Sequence, residues 1–144
     1  MTQAIFTCET HASLEGIARV MWDHDCGYVP IVDDHEKLAG VVTDRDVAMA
    51  AYLQGKRLAD IPVSEVMSQH VHACRPDASV ELAHEIMRSA EIRRLPVTDE
   101  HGKLVGLVTW SDLLAAAQRV SDAAAAAALT RQVIETLGAT SAHA

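Results

Sequence analysis

The chain states one pattern twice. Residues 1–46 and 67–112 align without a gap at a constant offset of 66, and roughly one position in three is identical. The closing phrases nearly coincide: Pro30-Ile-Val-Asp-Asp-His-Glu-Lys-Leu-Ala-Gly-Val-Val-Thr-Asp-Arg-Asp46 answers Pro96-Val-Thr-Asp-Glu-His-Gly-Lys-Leu-Val-Gly-Leu-Val-Thr-Trp-Ser-Asp112. A gapless repeat of this length marks a duplicated supersecondary unit. Each copy, on the order of 60 residues, would be marginal alone. Mutual packing of the copies is therefore the expected source of stability.

Within the first copy, residues 5–8 read as a short strand. Ser13 or Thr10 can cap a helix whose apolar residues Leu14, Ile17, Ala18 and Met21 follow helical spacing, and Asp25-Cys26-Gly27 stops it. The β-rich runs 28–32 and 38–42 flank a polar turn, 33–37, as in a hairpin. Pro30 inside a strand calls for an edge position or a bulge. A helix follows over about 45–54, ended by Gly55. The second copy repeats the order over 71–74, 79–90, 94–98, 104–109 and 111 onward. The unit is β-α-β-β-α and the fold class α/β (α+β). Residues 1–55 form the first motif, 56–66 a linker in which Pro62 opens one helical turn, and 67–120 the second motif. The tail, 121–144, has high helix propensity but few bulky apolar residues. It is expected to prolong the last helix and then fray, with 138–144 disordered.

Charge and composition exclude several classes of function. A net charge of -8 and the lack of a Lys/Arg run argue against nucleic-acid binding, with Arg93-Arg94 only a local cluster. No apolar stretch approaches a membrane span, and the start lacks a signal-peptide pattern, so a soluble cytoplasmic protein is expected. Cys8, Cys26 and Cys74 have no CxxC spacing; they suit a reducing compartment and read as small buried hydrophobes. His70, His72 and Cys74 share one face of the expected strand, but an edge strand more often turns such groups to solvent, and no metal is assigned. His35 and His101 fall at equivalent turns and read as exposed. There is no nucleophile turn, no HExxH and no GxxxxGK phosphate loop, so no enzymatic activity is expected.

The residues with most chemical content are Gly40-Val-Val-Thr43-Asp-Arg-Asp46 and Gly106-Leu-Val-Thr109-Trp-Ser-Asp112, each where a strand meets a helix. A glycine in the strand lets a ligand or a neighbouring backbone come close. A threonine at the helix start places a hydroxyl beside free backbone N–H groups, which suits a phosphate oxygen. An ionised aspartate three residues on is acceptor-only and suits the hydroxyls of a ribose. The same four-residue pattern also reads as a capping box that satisfies the helix N-terminus, and both readings stand.

With Tyr28-Val29-Pro30, Arg94-Leu95-Pro96, the two Gly-x-x-Thr-x-x-Asp segments and the Met67-Ser68 opening of the second copy, the sequence resembles the CBS-domain family, named after cystathionine β-synthase. More narrowly it is similar to the stand-alone tandem CBS pair, or Bateman module, of small bacterial type, over residues 1 to about 118. The resemblance implies two pseudo-twofold-related β-α-β-β-α units packed sheet to sheet. It also implies clefts between the motifs that take an adenine nucleotide or adenosyl compound: AMP, ADP, ATP, NAD or S-adenosylmethionine. No cofactor is obligatory. By position, Asp46 and Asp112 would hold ribose hydroxyls, Thr43 and Thr109 would sit at phosphates, and residues 28–30 and 94–96 would flank the base. Arg45 would neutralise phosphate, a role Ser111 cannot take; Asp44 opposes an anion where the second copy has Trp110. Two unequal sites are expected. The implied function is regulatory sensing that signals to a protein partner. The alternative is a structural or interaction protein whose helices dimerise, or dock on an enzyme or transporter, without ligand. Met21, Trp22, Met49, Tyr52, Leu53, Met87 and Leu114 supply more apolar surface than a shared core needs, and suggest a homodimer through helices.

Overall fold

Caps and turns convert the repeat into paired elements. The computed structural model describes residues 5–119 and 123–142. Its order is β1 (Cys8–Glu9), α1 (Leu14–Asp23), β2 (Tyr28–Val32), β3 (Leu38–Thr43), α2 (Asp44–Gln54), short 3-10 turns at Leu58–Asp60 and Val63–Glu65, α3 (Val80–Ser89), β4 (Arg94–Thr98), β5 (Leu104–Thr109), α4 (Trp110–Gln118) and α5 (Ala123–Ala142). Ser13 and Ser79 cap α1 and α3 by accepting from Gly16 N and Leu82 N at 3.4 and 3.1 Å. The left-handed residues Asp25 (φ 48) and Glu91 (φ 54) follow the ends of α1 and α3 at equivalent positions. Gly55, at φ 61, takes the same conformation after α2, where a side chain would be strained.

The described residues fall into two compact units that do not follow the ends of the copies. The first comprises 5–71 with 100–104, and the second 72–99 with 105 onward. Backbone pairing explains both departures. Val41 N donates to Ser68 O at 3.0 Å and Ser68 N returns a bond to Val41 O at 2.9 Å, which ties the opening of the second copy to β3. Leu38 N donates to Gly102 O at 3.0 Å, and Lys103 Nζ meets Glu36 Oε2 at 2.7 Å.

In the first unit β1 runs parallel to β2, with Cys8 opposite Ile31, and β3 runs antiparallel to β2, with Tyr28 opposite Thr43. Pro30 is tolerated because β1 reaches only Ile31 and Val32, leaving the proline past its end. Leu14, Ile17, Val29, Ile31, Val42, Ile61 and Val63 are fully buried in one cluster. In the second unit β4 and β5 pair, and the strand expected over 71–74 shrinks to one parallel bridge, Cys74 to Val97. That bridge keeps the register of Cys8 and Ile31, each partner 66 residues on. Met87, Leu95, Val97, Leu113 and Val133 centre the second core.

The tail departs most from the sequence reading. It is a separate helix, α5, that continues through Gly138 to Ala142, so disorder does not begin at 138. Leu129, Val133 and Thr136 recur at helical spacing and are all buried, which gives α5 a stripe for α3 and α4 to cover. Thr136 Oγ1 lies 2.9 Å from Gln132 O and shares a hydrogen bond of 3.0 Å with His84 Nε2. Residues 120–122 and 143–144 lie outside the described residues. Among the described residues no helix is long and apolar enough to cross a membrane.

Candidate functional site

β3 and β5 each run into a helix at a threonine, and there two side chains close a reciprocal pair. Thr43 Oγ1 accepts from Asp46 N at 3.2 Å while Asp46 Oδ2 accepts from Thr43 N at 2.8 Å. In the second copy Thr109 Oγ1 accepts from Asp112 N at 3.4 Å. Asp112 Oδ2 accepts from both Thr109 N and the Thr109 hydroxyl, at 2.8 and 2.9 Å. Both capping boxes therefore form. Burial pushes the Asp112 carboxyl up, but it sits below the ordinary carboxylate value, with the Thr109 amide and hydroxyl first among the causes that pull it down. The caps are built on Oδ2 in both copies.

The copies part at the next residue. Asp44 Oδ1 accepts from Arg45 N at 2.8 Å, and Asp44 N donates to Gly27 O at 3.1 Å. The carboxylate lies so close over Gly27 that a Cβ there would stand 2.9 Å from Asp44 Oδ2. The amides of Thr43, Asp44, Arg45 and Asp46 thus all have partners in the chain: Asp46 Oδ2, Gly27 O, Asp44 Oδ1 and Thr43 Oγ1. The free N–H groups expected beside Thr43 are not there. In the second copy the place of Asp44 is taken by Trp110, which has no oxygen to offer the Ser111 amide. Trp110 is 7% exposed and meets the edge of the His84 ring at 6.4 Å between centroids. Its indole N–H has no hydrogen-bond partner among the described residues.

Gly40 answers the question left by its place in the strand. A Cβ there would come within 2.8 Å of Met67 Sδ and 2.9 Å of Ser68 O, so the close approach is made by the Met67 side chain and the Ser68 backbone at the opening of the second copy. The residues expected to flank the base are distributed unevenly. Val29 and Leu95 are fully buried in the two cores, Pro30 and Pro96 are buried, and Tyr28 is half-buried opposite Thr43. Arg45 and Arg94 are exposed.

The second unit contains a cavity of about 150 Å³ bordered by Val80, Ala83, Val97, Val108, Ala116 and the Asp112 carboxylate. Of the residues expected from the sequence to bind a nucleotide, Asp112 alone lines it, and Cys74 borders it as well. The apolar wall was missed because its spacing is that of any core. Its counterparts 66 residues earlier, Leu14, Ile17, Ile31, Val42 and Ala50, pack with Ile61 and Val63 of the linker. Leu14 N donates to Ile61 O and Val63 N to Ala12 O, each at 2.9 Å, and these bonds seat the linker there.

Other candidates do not converge. His70 and His72 are exposed and Cys74 is buried, and no group of three or more His, Cys, Asp or Glu among the described residues is placed to hold a metal. Burial pushes the Cys8 and Cys74 thiols up, as suits packed thiols rather than reactive ones. The exposed His35 and His101 lie in the hairpin turns.

Comparison with protein families matches the CBS domain twice, over residues 1–52 and 63–119. The chain is 38% identical over 130 residues to the CBS domain-containing protein YhcV of Bacillus subtilis, covering 90% of this chain and 89% of that one. Among solved structures it is similar to Hypoxic Response Protein I with two coordinated zinc ions, at 28% identity and a TM-score of 0.72, over 81% of this chain and 94% of that one. It is also similar to the CBS domain pair of protein MJ0100 in complex with 5'-methylthioadenosine and S-adenosyl-L-methionine. There the identity is 28% and the TM-score 0.70, over 78% of this chain and 87% of that one.

Proposed function

The chain belongs to the CBS-domain family, and on that footing we propose that it is a regulatory module that binds an adenine nucleotide or adenosyl compound and passes the bound state to a protein partner. The observation that carries this reading is Asp112, an ionised carboxylate oriented by Thr109 at the border of a cavity with apolar walls that Arg75 and Ser79 also line. A ribose diol is a double donor that such a carboxylate accepts, and the faces of a purine suit walls made of Val80, Val97 and Val108. At about 150 Å³ the cavity is smaller than a site for a whole nucleotide and would take only part of one. Asp46 is the equivalent acceptor in the first copy. The adenosyl ligands bound to the MJ0100 pair support the class, within which AMP, ADP, ATP, NAD and S-adenosylmethionine are the candidates. With Val29 and Leu95 committed to the cores, the base would meet the backbone of residues 28–30 and 94–96 and the side chains of Tyr28 and Arg94. Thr109 would stand at a phosphate position, and Thr43 with Arg45 marks the equivalent place in the first copy. Signalling follows only from differential affinity of the ligand for two conformations of the module.

Thermal melting of the full chain against this panel is the test. Wild type should be stabilised by at least one adenosyl compound. Asp112→Ala should lose about 1 kcal/mol of capping and, beyond that, most of the ligand's stabilisation. Silence across the whole panel would refute the adenosyl reading.

A second reading, an interaction protein that dimerises or docks through its helices, is favoured by a separate observation. Trp22, Tyr52 and Leu53 on α1 and α2 are 87, 80 and 77% exposed, whereas Met21 and Met87 are core residues. Light scattering of Trp22→Glu beside wild type tests it: a dimer that becomes a monomer supports the reading, and a wild-type monomer counts against self-association.

A further inference from the structure

Resting on the adenosyl reading above, we propose that Asp44 shuts the first copy to phosphate, so that phosphate-bearing ligands are held through the second copy alone. A helix N-terminus attracts anions because its first amides lack partners and its dipole is positive there. At α2 neither resource is available to a ligand. The four amides from Thr43 to Asp46 are bonded to atoms of the chain itself, two of them to carboxylates. Asp44 supplies the anion in cis: Oδ1 sits on the Arg45 amide, and Oδ2 fills the space that the missing side chain of Gly27 leaves open. With Asp46 beside it, the helix start carries two negative charges against the one positive charge of Arg45, and an incoming phosphate dianion would meet net repulsion.

The start of α4 shares the threonine-aspartate box, which occupies the Thr109 and Asp112 amides, but differs in charge and in what position 110 supplies. Trp110 is uncharged and turned into the core, Ser111 is uncharged, and the only carboxylate in the first turn, Asp112, is folded back onto Thr109. Asp44 is therefore a specificity-determining residue. Its charge, rather than the shape of the site, separates a phosphorylated adenosyl ligand from an unphosphorylated one.

Asp44→Asn isolates that charge, because the amide oxygen can still accept from Arg45 N and the volume over Gly27 is kept. Isothermal titration of the full chain with AMP and with adenosine, which differ only in the phosphate, reads the effect. Wild type should bind one AMP per chain. Asp44→Asn should bind two, with AMP affinity at the first copy raised about tenfold and adenosine affinity unchanged. In an Asp112→Ala background, which silences the second copy, the added Asp44→Asn change should bring AMP binding from none to one. Asp44→Ser, with a hydroxyl in place of the carboxylate, should behave like Asp44→Asn if charge is the cause. Two AMP molecules bound with like affinity by wild type, or a count still at one in both Asp44 variants, would overturn the proposal. If adenosine binds while AMP binding ignores Asp44, this inference alone fails. If no adenosyl compound binds any variant, the reading beneath it fails as well.

Discussion

In the first unit Leu14, Ile17, Ile31, Val42 and Ala50 close on Ile61 and Val63 of the linker, whereas their counterparts Val80, Ala83, Val97, Val108 and Ala116 border a cavity of about 150 Å³. The two walls come from one duplicated pattern, but Leu14, Ile17 and Ile31 answer the smaller Val80, Ala83 and Val97, and only Val42/Val108 and Ala50/Ala116 are unchanged. The segment that faces the wall differs as well, and in the first unit that segment lies outside the aligned repeat. Inward-facing periodicity thus specifies an apolar wall without specifying whether the wall meets a core or a cavity. The helix starts teach the same lesson in charge. One threonine-aspartate lock is built twice, yet a second carboxylate at position 44 and an indole at position 110 give the two locks opposite surroundings.

The largest effect should come from emptying the filled wall. Ile61→Ala removes a fully buried side chain and should cost about 3 kcal/mol in urea unfolding. Ala116→Val, which adds bulk at the border of the open cavity, should change stability by less than about 1 kcal/mol. A small loss for Ile61→Ala would mean that the linker does not fill the first wall, and the comparison would break. Gly40→Ala comes next, at about 1–3 kcal/mol, because the new Cβ must displace Met67 and the Ser68 carbonyl.

Smaller effects sharpen the comparison of the helix starts. Asp46→Ala should cost about 1 kcal/mol through its cap. For Asp112 the sign of the pH dependence follows from its lowered carboxyl. Its stabilising contribution is complete above the unfolded value of about 3.9 and is lost as pH falls through the lower folded value. Carboxyl-carbon NMR titration should find Asp112 below the ordinary value in wild type and closer to it in Thr109→Val, which removes the hydroxyl donor. An unmoved Asp112 would remove Thr109 as the cause. Trp110→Phe should be the mildest change, within about 1 kcal/mol, since the lost contact area is offset by removal of a buried N–H that lacks a partner. In wild type, acrylamide should quench Trp22 fluorescence strongly and Trp110 fluorescence weakly.

Much of the fold was legible because short-range rules decide it. The strands Tyr28–Val32, Arg94–Thr98 and Leu104–Thr109 stand where alternation and turn residues put them, and Ser13 and Ser79 cap the helices that follow them. The strand over 71–74 was over-read because one parallel bridge is all that it forms. The tail was under-read because three buried residues in an alanine-rich helix are a weak signal until a partner face exists for them. At the site, the threonine-aspartate pairs were visible as both capping boxes and ligand groups, and the structure shows the boxes formed. The closing of the Asp44 carboxylate onto Gly27 was not visible, since those residues lie 17 positions apart in the chain.

The sequence by itself determined the repeated order of elements, its caps and the family to which it belongs, because periodicity and capping act over a few residues and repeat faithfully at an offset of 66. Tertiary structure decided three matters that depend on groups distant in the chain: that the linker fills one apolar wall, that Gly40 admits the Ser68 backbone, and that Asp44 satisfies its own helix start. In each case the outcome is set by which atoms arrive within contact distance, and local pattern carries no record of that.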